Sequence, residues 1–451
     1  MMITEAIDHY HSLLTDQLAA DIDGVMRSTL FGRGLYFGTR PVCTVLRPHF
    51  YFAEHWQYLK IETEKLLGAF ARAHAACMED AELRSQLALE SFEEELFGLD
   101  FGGPVPWTTS RLDSFYQVEN QSLRYVEYNA ETPAGMGYED VLAELFFELE
   151  SLKRFQEHYH VEKMPMLKTL LDVLLRAYRE SAGSQTHPQI AIVDWHDVPT
   201  LNEHELSRIS FERHGVRTIL ADPRSLEYRN GHLWAGGFRI DIVYKRVLIS
   251  ELIRRMGMNN PIVRAVRDKA VLMTNSFSAK LMAKKASFAF LSDEQNHHLF
   301  TEEQLHVIAN HIPWTRIVAD RSTVYKGEKI DLLQFVSQNR DRFVLKPNDE
   351  YGGKGVILGW ETPIDAWNEA LRQALTSPHV VQERVSGIVR NFPTWVNDKL
   401  DISPRFVDAD PYIFYGDTVY GCLTRLSSVS LLNVTAGGGS VVPTFLITKK
   451  D

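Results

Sequence analysis

Cysteine is scarce in this chain. Three occur in 451 residues, Cys43, Cys77 and Cys422, with no Cys-x-x-Cys unit and no zinc-type spacing. A disulfide framework and a thiolate metal centre are thereby excluded, and a reducing compartment fits best. There is no excess of base either: 48 Lys and Arg stand against 59 Asp and Glu, a formal charge of -11. A surface that coats a phosphate backbone needs the opposite balance, so nucleic acid is not an expected partner. No apolar run approaches the roughly 20 residues of a membrane span. The opening residues, Met1-Met2-Ile3-Thr4-Glu5-Ala6-Ile7-Asp8-His9, lack a basic start followed by an apolar stretch. The expected setting is the cytoplasm, with no membrane partner. Also missing are internal repeats, low-complexity tracts, the Gly-x-x-x-x-Gly-Lys-Ser/Thr phosphate loop and a complete dinucleotide fingerprint, since Gly135-Met136-Gly137 has no third glycine.

What is present is globular: 45% of the residues are hydrophobic and 24% charged, which leaves little room for long disorder. At roughly 100–200 residues per domain, two to four packed units are expected. The first hundred residues show helical periodicity over Ala53 to Ala76 and Leu83 to Leu96, and are read as a helical N-terminal region (1–100). Residues 101–184 begin with two β-rich runs, Arg111 to Val118 and Ser122 to Tyr128, joined by the turn residues Glu119-Asn120-Gln121. Helices are expected over Tyr138 to Phe155 and Met166 to Arg179. Residues 185–262 read as a Rossmann-like unit, with strands Gln189 to Asp194, Arg217 to Leu220 and Ile240 to Tyr244 and an intervening helix Leu201 to His214. From 263 to 451 helices alternate with strands such as Phe343 to Lys346, Val380 to Glu383 and Val419 to Leu423. The fold class is α+β / α/β.

Several segments carry chemistry. Phe343-Val344-Leu345-Lys346 ends a buried strand in a lysine and runs into Pro347-Asn348-Asp349-Glu350-Tyr351-Gly352-Gly353-Lys354-Gly355. Glycines there let backbone N–H groups approach phosphate oxygens, and the lysine adds a point charge. A surface turn with incidental lysines has the same composition. Val380 to Val385 ends an apolar strand in Gln382 and Glu383, which suits a hinge that meets an adenine or, equally, a solvated edge. Arg425 lies in a strand that precedes Gly437, Gly438 and Gly439, whose run of three either approaches a ligand closely or forms a plain flexible loop. Arg111 and Asp113 share one strand face, as do Glu127 and Asn129 on the other strand. Cross-strand pairing would gather Asp113, Glu127 and Asn129 into an oxygen cluster suited to Mg²⁺, or into a polar face with an Arg–carboxylate pair.

In their order along the chain, these segments resemble the circularly permuted ATP-grasp enzymes, including glutathionylspermidine synthetase and, more distantly, the eukaryotic glutathione synthetases. Arg-x-Asp followed by Glu127-Tyr128-Asn129-Ala130-Glu131-Thr132-Pro133 looks like that family's magnesium hairpin. The likeness implies a helical N-terminal region, a Rossmann-like pre-ATP-grasp unit and ATP-grasp lobes, with ATP and Mg²⁺ as cofactors. It implies Asp113, Glu127 and Asn129 as metal ligands and Arg111 as a phosphate or transition-state contact. Lys285, chosen over its neighbour Lys284, and Lys346 become the ATP lysines, with Gln382 and Glu383 in the adenine hinge. Arg425 and the glycines Gly352, Gly353 and Gly437 to Gly439 would meet phosphates or an acyl phosphate. The function implied is an ATP-dependent ligase that joins a small carboxylate to an amine of the amino acid, peptide or polyamine class. A nucleotide-binding scaffold or sensor without ligase activity and a small-molecule kinase are the alternatives. No amidase-like cysteine domain precedes the hairpin, and Ser440 is followed by Val441-Val442 where bacterial relatives often have Lys-Asp.

Overall fold

A computed structural model describes residues 3–99, 105–181, 183–429 and 439–450. Its centre is an antiparallel sheet of seven strands among the described residues. The hairpin Thr109–Gln117 and Ser122–Asn129 forms one edge, and its first strand pairs with Asp410–Phe414 from the far end of the chain, Arg111 opposite Tyr412. Asp410–Phe414 in turn pairs with Thr418–Ser427, longer at both ends than the expected Val419 to Leu423. Early and late sequence are thus hydrogen-bonded side by side. The same mixing recurs in a three-stranded sheet, where Thr444–Lys449 lies between His49–Phe52 and Tyr159–Glu162.

The Rossmann-like unit is a four-stranded parallel sheet ordered Leu272–Thr274, Ile242–Lys245, Ile190–Val193 and Thr218–Ala221. Strands buried on both faces read as unbroken apolar runs, and Ile190 to Val193 are all buried. The sheet draws its outer strand from beyond residue 262, because Leu272-Met273-Thr274 is too short to stand out as a strand until it pairs with Ile242 to Tyr244. A further four-stranded antiparallel sheet contains Thr315–Ile317, His379–Glu383, Phe343–Pro347 and Ile357–Leu358.

The helical N-terminal region packs on the rest of the molecule. The long helix Ala53–Glu79 shares a buried cluster with hairpin residues Leu112 and Tyr128 and with Phe288. Leu83 to Leu96 forms two short helices, Ala81–Ser85 and Ser91–Phe97. Tyr138 to Phe155 is likewise two helices, Met136–Glu148 and Glu150–Phe155, broken at Leu149, whose backbone is extended (ψ 138°). The break lets Leu149, Leu152 and Phe155 all reach the core, Phe155 stacking on Phe50 at 4.8 Å. The helix Met166–Glu180 starts on the Asp140 carboxylate, which accepts from the N–H groups of Met166 and Leu167 at 2.7 and 2.9 Å. Among the described residues no helix is long and apolar enough to cross a membrane.

Candidate active site

A cleft of about 950 Å³ opens between the hairpin, the carboxyl ends of the parallel strands and the sheet that carries Phe343–Pro347. It is lined by Arg111, Asp113, Glu127, Asn129, Lys285, Lys346, Gly352, Gly353, Gln382, Glu383 and Arg425. Gly437 and Gly438 lie outside the described residues; Gly439 begins the strand Gly439–Val442 and pairs with Ser427.

The hairpin register sets Arg111 opposite Asn129 and Asp113 opposite Glu127, with an irregularity between Asp113 and Ser114. All four functional side chains therefore gather at one end of the hairpin. Asp113 Oδ1 accepts from Arg111 Nε and from Asn129 Nδ2, both at 2.8 Å, and its Oδ2 accepts from Arg425 Nη2 at 2.7 Å. Burial pushes the Asp113 carboxyl up, but the guanidiniums of Arg111 and Arg425 outweigh it and hold it below the ordinary range. Arg425 also binds Asp408 at 2.7 Å and lies 2.9 Å from Asp410. Around two guanidiniums, then, stand three buried carboxylates.

The lysines come from two other directions. Lys285 Nζ sits 2.8 Å from Glu127 and donates to the Glu350 carbonyl at 2.5 Å. Lys284, its neighbour, turns away from the cleft and is 2% exposed. Lys346 Nζ donates to the Val126 carbonyl at 3.0 Å and to Gln382 Oε1 at 2.8 Å. Burial pulls the Lys346 ammonium down to about 8, against the attraction of Glu127. Gln382 thus orients a lysine, and its Nε2 donates to Thr315 Oγ1 at 3.1 Å. Glu383 accepts from Tyr325 Oη at 2.6 Å. The backbone N–H groups of Glu383 and Arg384 donate to Trp314 and Arg342 carbonyls at 2.8 and 2.7 Å. Val385, next along the chain, also lines the cleft.

The donor set suits a hard cation that draws part of its shell from phosphate. Asn129 keeps its amide oxygen while its Nδ2 holds Asp113, and the Glu127 side chain is 29% exposed to the cleft. Asp113 stands beside them with both oxygens occupied by arginines. Among the described residues no group of three or more His, Cys, Asp or Glu side chains is placed to hold a metal ion, so protein carboxylates alone would not complete a shell.

Sequence reasoning assigned no role to Arg246 or Asp194. Both follow directly on parallel strands, Ile242–Lys245 and Ile190–Val193, at the carboxyl ends where such sheets bind ligands, and that position is the signal that could have found them. Arg246 is 8% exposed and lines the cleft. Its bonds are long ones, 3.3 Å to the Thr132 carbonyl and 3.4 Å to Tyr244 Oη, while the Glu203 and Asp194 carboxylates attract it without a close ion pair among the described residues. A buried guanidinium so placed is prepared for an anion. Burial raises the Asp194 carboxyl to about 6.

With this geometry in place, comparisons with known proteins define the fold. No family model matches the sequence. A solved glutathione synthetase-like effector from Globodera pallida, in its apo form, superposes with a TM-score of 0.58 at 12% identity, covering 95% of this chain and 96% of that one. The two share a fold. It is a mixed α/β fold. Two curated relatives, "Putative glutamate–cysteine ligase 2-2" of Frankia casuarinae and "Putative glutamate–cysteine ligase 2-3" of Frankia alni, are each 25% identical over 214 residues. Those matches cover 45% of this chain and 23% of each relative, so the chain spans under a quarter of the length of the curated relatives it matches.

Proposed function

We propose that the chain is an ATP- and magnesium-dependent carboxylate–amine ligase with a circularly permuted ATP-grasp arrangement. One observation carries the proposal: the acidic hairpin from the first third of the sequence and the lysines of its latter half converge on a single cleft. The pairing of Thr109–Gln117 with Asp410–Phe414 supports the permuted order. The fold shared with a glutathione synthetase-like protein and the ligase names of the curated relatives are consistent with the chemistry.

The division of labour follows from charge. Lys285, Lys346 and the backbone of residues 350–355 would hold the triphosphate, with its γ-phosphate toward Arg111 and Arg425. Magnesium, when bound, would neutralise phosphate charge, and Glu127 and Asn129, with Asp113 alongside, would hold it. The residues of this chain then align and neutralise, which is most of what phosphoryl transfer requires. Arg246 would take a carboxylate of the acceptor, so that a carboxylate oxygen attacks the γ-phosphate in line and the bond to the β-phosphate oxygen breaks, leaving ADP. The acyl phosphate formed is captured by an amine, giving an amide and releasing phosphate. Asp194 and Glu251 also line the cleft and would hold the amine as it enters, one of them taking the proton that the ammonium must lose before its nitrogen can attack.

The test is phosphate release from ATP by the purified protein, in a matrix of amino acids, peptides and polyamines. Release that needs both a carboxylate and an amine supports the ligase. A stable phosphorylated product without an amine would make it a kinase, and nucleotide binding without turnover would make it a scaffold.

A further inference from the structure

Beneath the glycine loop runs a chain of six alternating charges that the chemistry above does not use. Glu93 meets Lys284 at 2.8 Å, and Lys284 meets Asp349 at 3.2 Å. Asp349 meets Lys280 at 2.6 Å, Lys280 meets Glu131 at 2.8 Å, and Glu131 lies 3.6 Å from Lys245. Its members come from every part of the molecule: a short N-terminal helix (Glu93), the stretch just after the hairpin (Glu131), a parallel strand (Lys245), the segment 279–284 (Lys280, Lys284) and the glycine loop (Asp349). The side chains are 5% exposed or less, apart from Asp349 at 26%. Charges buried so deeply are tolerated when they balance, and three lysines here balance three carboxylates.

Asp349 is the one member carried by the loop. If the loop withdrew, three buried lysines would face two carboxylates, and the surplus positive charge would pull Asp349 back. Burial pushes the Asp349 carboxyl up, but Lys280 and Lys284 outweigh it and hold it at about 2, so it stays ionised near neutral pH. The residue before it is anchored as well, since Asn348 Oδ1 accepts from the Ala286 N–H at 2.8 Å and Asn348 Nδ2 donates to the Leu87 carbonyl at 2.9 Å. Glu350, next along, is held by Lys285 through its carbonyl at 2.5 Å, and past it the loop carries Tyr351, 61% exposed, and three glycines, Gly352, Gly353 and Gly355, with φ of +63°, +72° and +72°.

We propose that Asp349 is a positioning residue, whose docking on Lys280 and Lys284 fixes the height of the glycine loop over the cleft and so tunes affinity for the phosphates of a nucleotide. Because Lys280 also holds Glu131, two residues beyond Asn129, the clamp ties the loop to the hairpin that carries Glu127 and Asn129. The proposal rests on the nucleotide reading of the cleft, and its test separates the two.

Calorimetry with ATP and magnesium, competition with AMP, and amide hydrogen exchange of residues 350–356 without nucleotide are compared in the full chain and in Asp349→Asn. A lost charge-assisted anchor corresponds to about a tenfold effect. ATP should bind about tenfold more weakly, AMP should be unchanged, exchange in the loop should quicken, and Asp349→Glu should recover part of the ATP affinity. General damage would weaken ATP and AMP alike, and that outcome, or no change in either ATP affinity or exchange, overturns the clamp. If the unaltered protein binds no nucleotide, the nucleotide reading fails, and exchange alone decides whether Asp349 holds the loop. Lys284→Met is the second variant should Asp349→Asn lose its cooperative melt: it leaves Lys280 on Asp349 and should give the same split at smaller size, while equal binding to the unaltered protein counts against the clamp.

Discussion

Arg425 bridges Asp113 and Asp408 across the central sheet, with Nη2 2.7 Å from the first and Nε 2.7 Å from the second. Those carboxylates, with Asp410, are buried, and burial pushes Asp408 and Asp410 up against the pull of Arg425. Removing the guanidinium strands them. Arg425→Met should therefore lower stability by about 3–5 kcal/mol, read as a fall in the denaturation midpoint. Arg425→Lys should keep much of the stability and lose activity, because an ammonium cannot span both partners. Equal stability of Arg425→Met and the unaltered protein would show that the cluster is held by something else.

Glu127 is a different kind of carboxylate, partly exposed and paired to Lys285. Glu127→Gln should melt within a few degrees of the unaltered protein and lose about a hundredfold or more in turnover, comparable to the loss of a transition-state contact. Chelation of divalent cations should abolish turnover in the unaltered protein, and readdition of magnesium should restore it. Full activity under chelation would remove the cation from the mechanism.

The hairpin was legible because strand alternation and cross-strand pairing are local rules: spacing gathers Arg111, Asp113, Glu127 and Asn129 at one place, while their reading as a metal and phosphate site rests on the resemblance to the ATP-grasp enzymes. Lys346 was legible as the polar end of an apolar strand. Lys280 and Lys284 were not, since two lysines four residues apart on a short helix look like a solvated face, and only the approach of Glu93, Glu131 and Asp349 from distant segments makes them interior. Gln382 shows the same limit. Its place at a strand end was visible, yet its bond to Lys346 depends on the antiparallel register of two strands more than thirty residues apart. Arg246 depends on which parallel strands become neighbours, and one of those, Leu272–Thr274, has three residues.

Lys346 gives the cleft a pH dependence. Its ammonium is drawn from the ordinary 10.5 down to about 8 by burial, with Glu127 opposing. The triphosphate binds the protonated form, so ATP affinity should be level below about pH 8 and fall as pH rises past it, by up to about tenfold per unit. Stability should move the other way between about pH 8 and about pH 10, because the unfolded chain holds the lysine proton more tightly there and loss of the proton relieves a buried charge. Titration of ATP affinity against pH, in the unaltered protein and in Lys346→Met, checks the assignment: the variant should bind weakly and lose this inflection. An inflection near pH 8 that persists in Lys346→Met would belong to another group, Lys245 being the first to test because burial draws it to about 8 as well.

Arg246 separates substrate binding from nucleotide binding. Its guanidinium lines the cleft with only long bonds to Thr132 and Tyr244, at the end of a parallel strand, whereas Lys346 comes from the separate antiparallel sheet and Lys285 from the segment before Ala286–Ser292. Arg246→Met removes a charge that the Glu203 and Asp194 carboxylates favour despite its burial, so the protein should lose some stability, read as a fall in the denaturation midpoint, while still folding. The loss should fall on the carboxylate substrate: KM should rise about tenfold or more, as for a charge-assisted bond, while ATP affinity holds. Arg246→Lys should restore only part, since a point charge replaces a planar fork. If KM for the carboxylate stays fixed and ATP affinity falls instead, Arg246 faces the nucleotide, and the acceptor must lie elsewhere in the cleft.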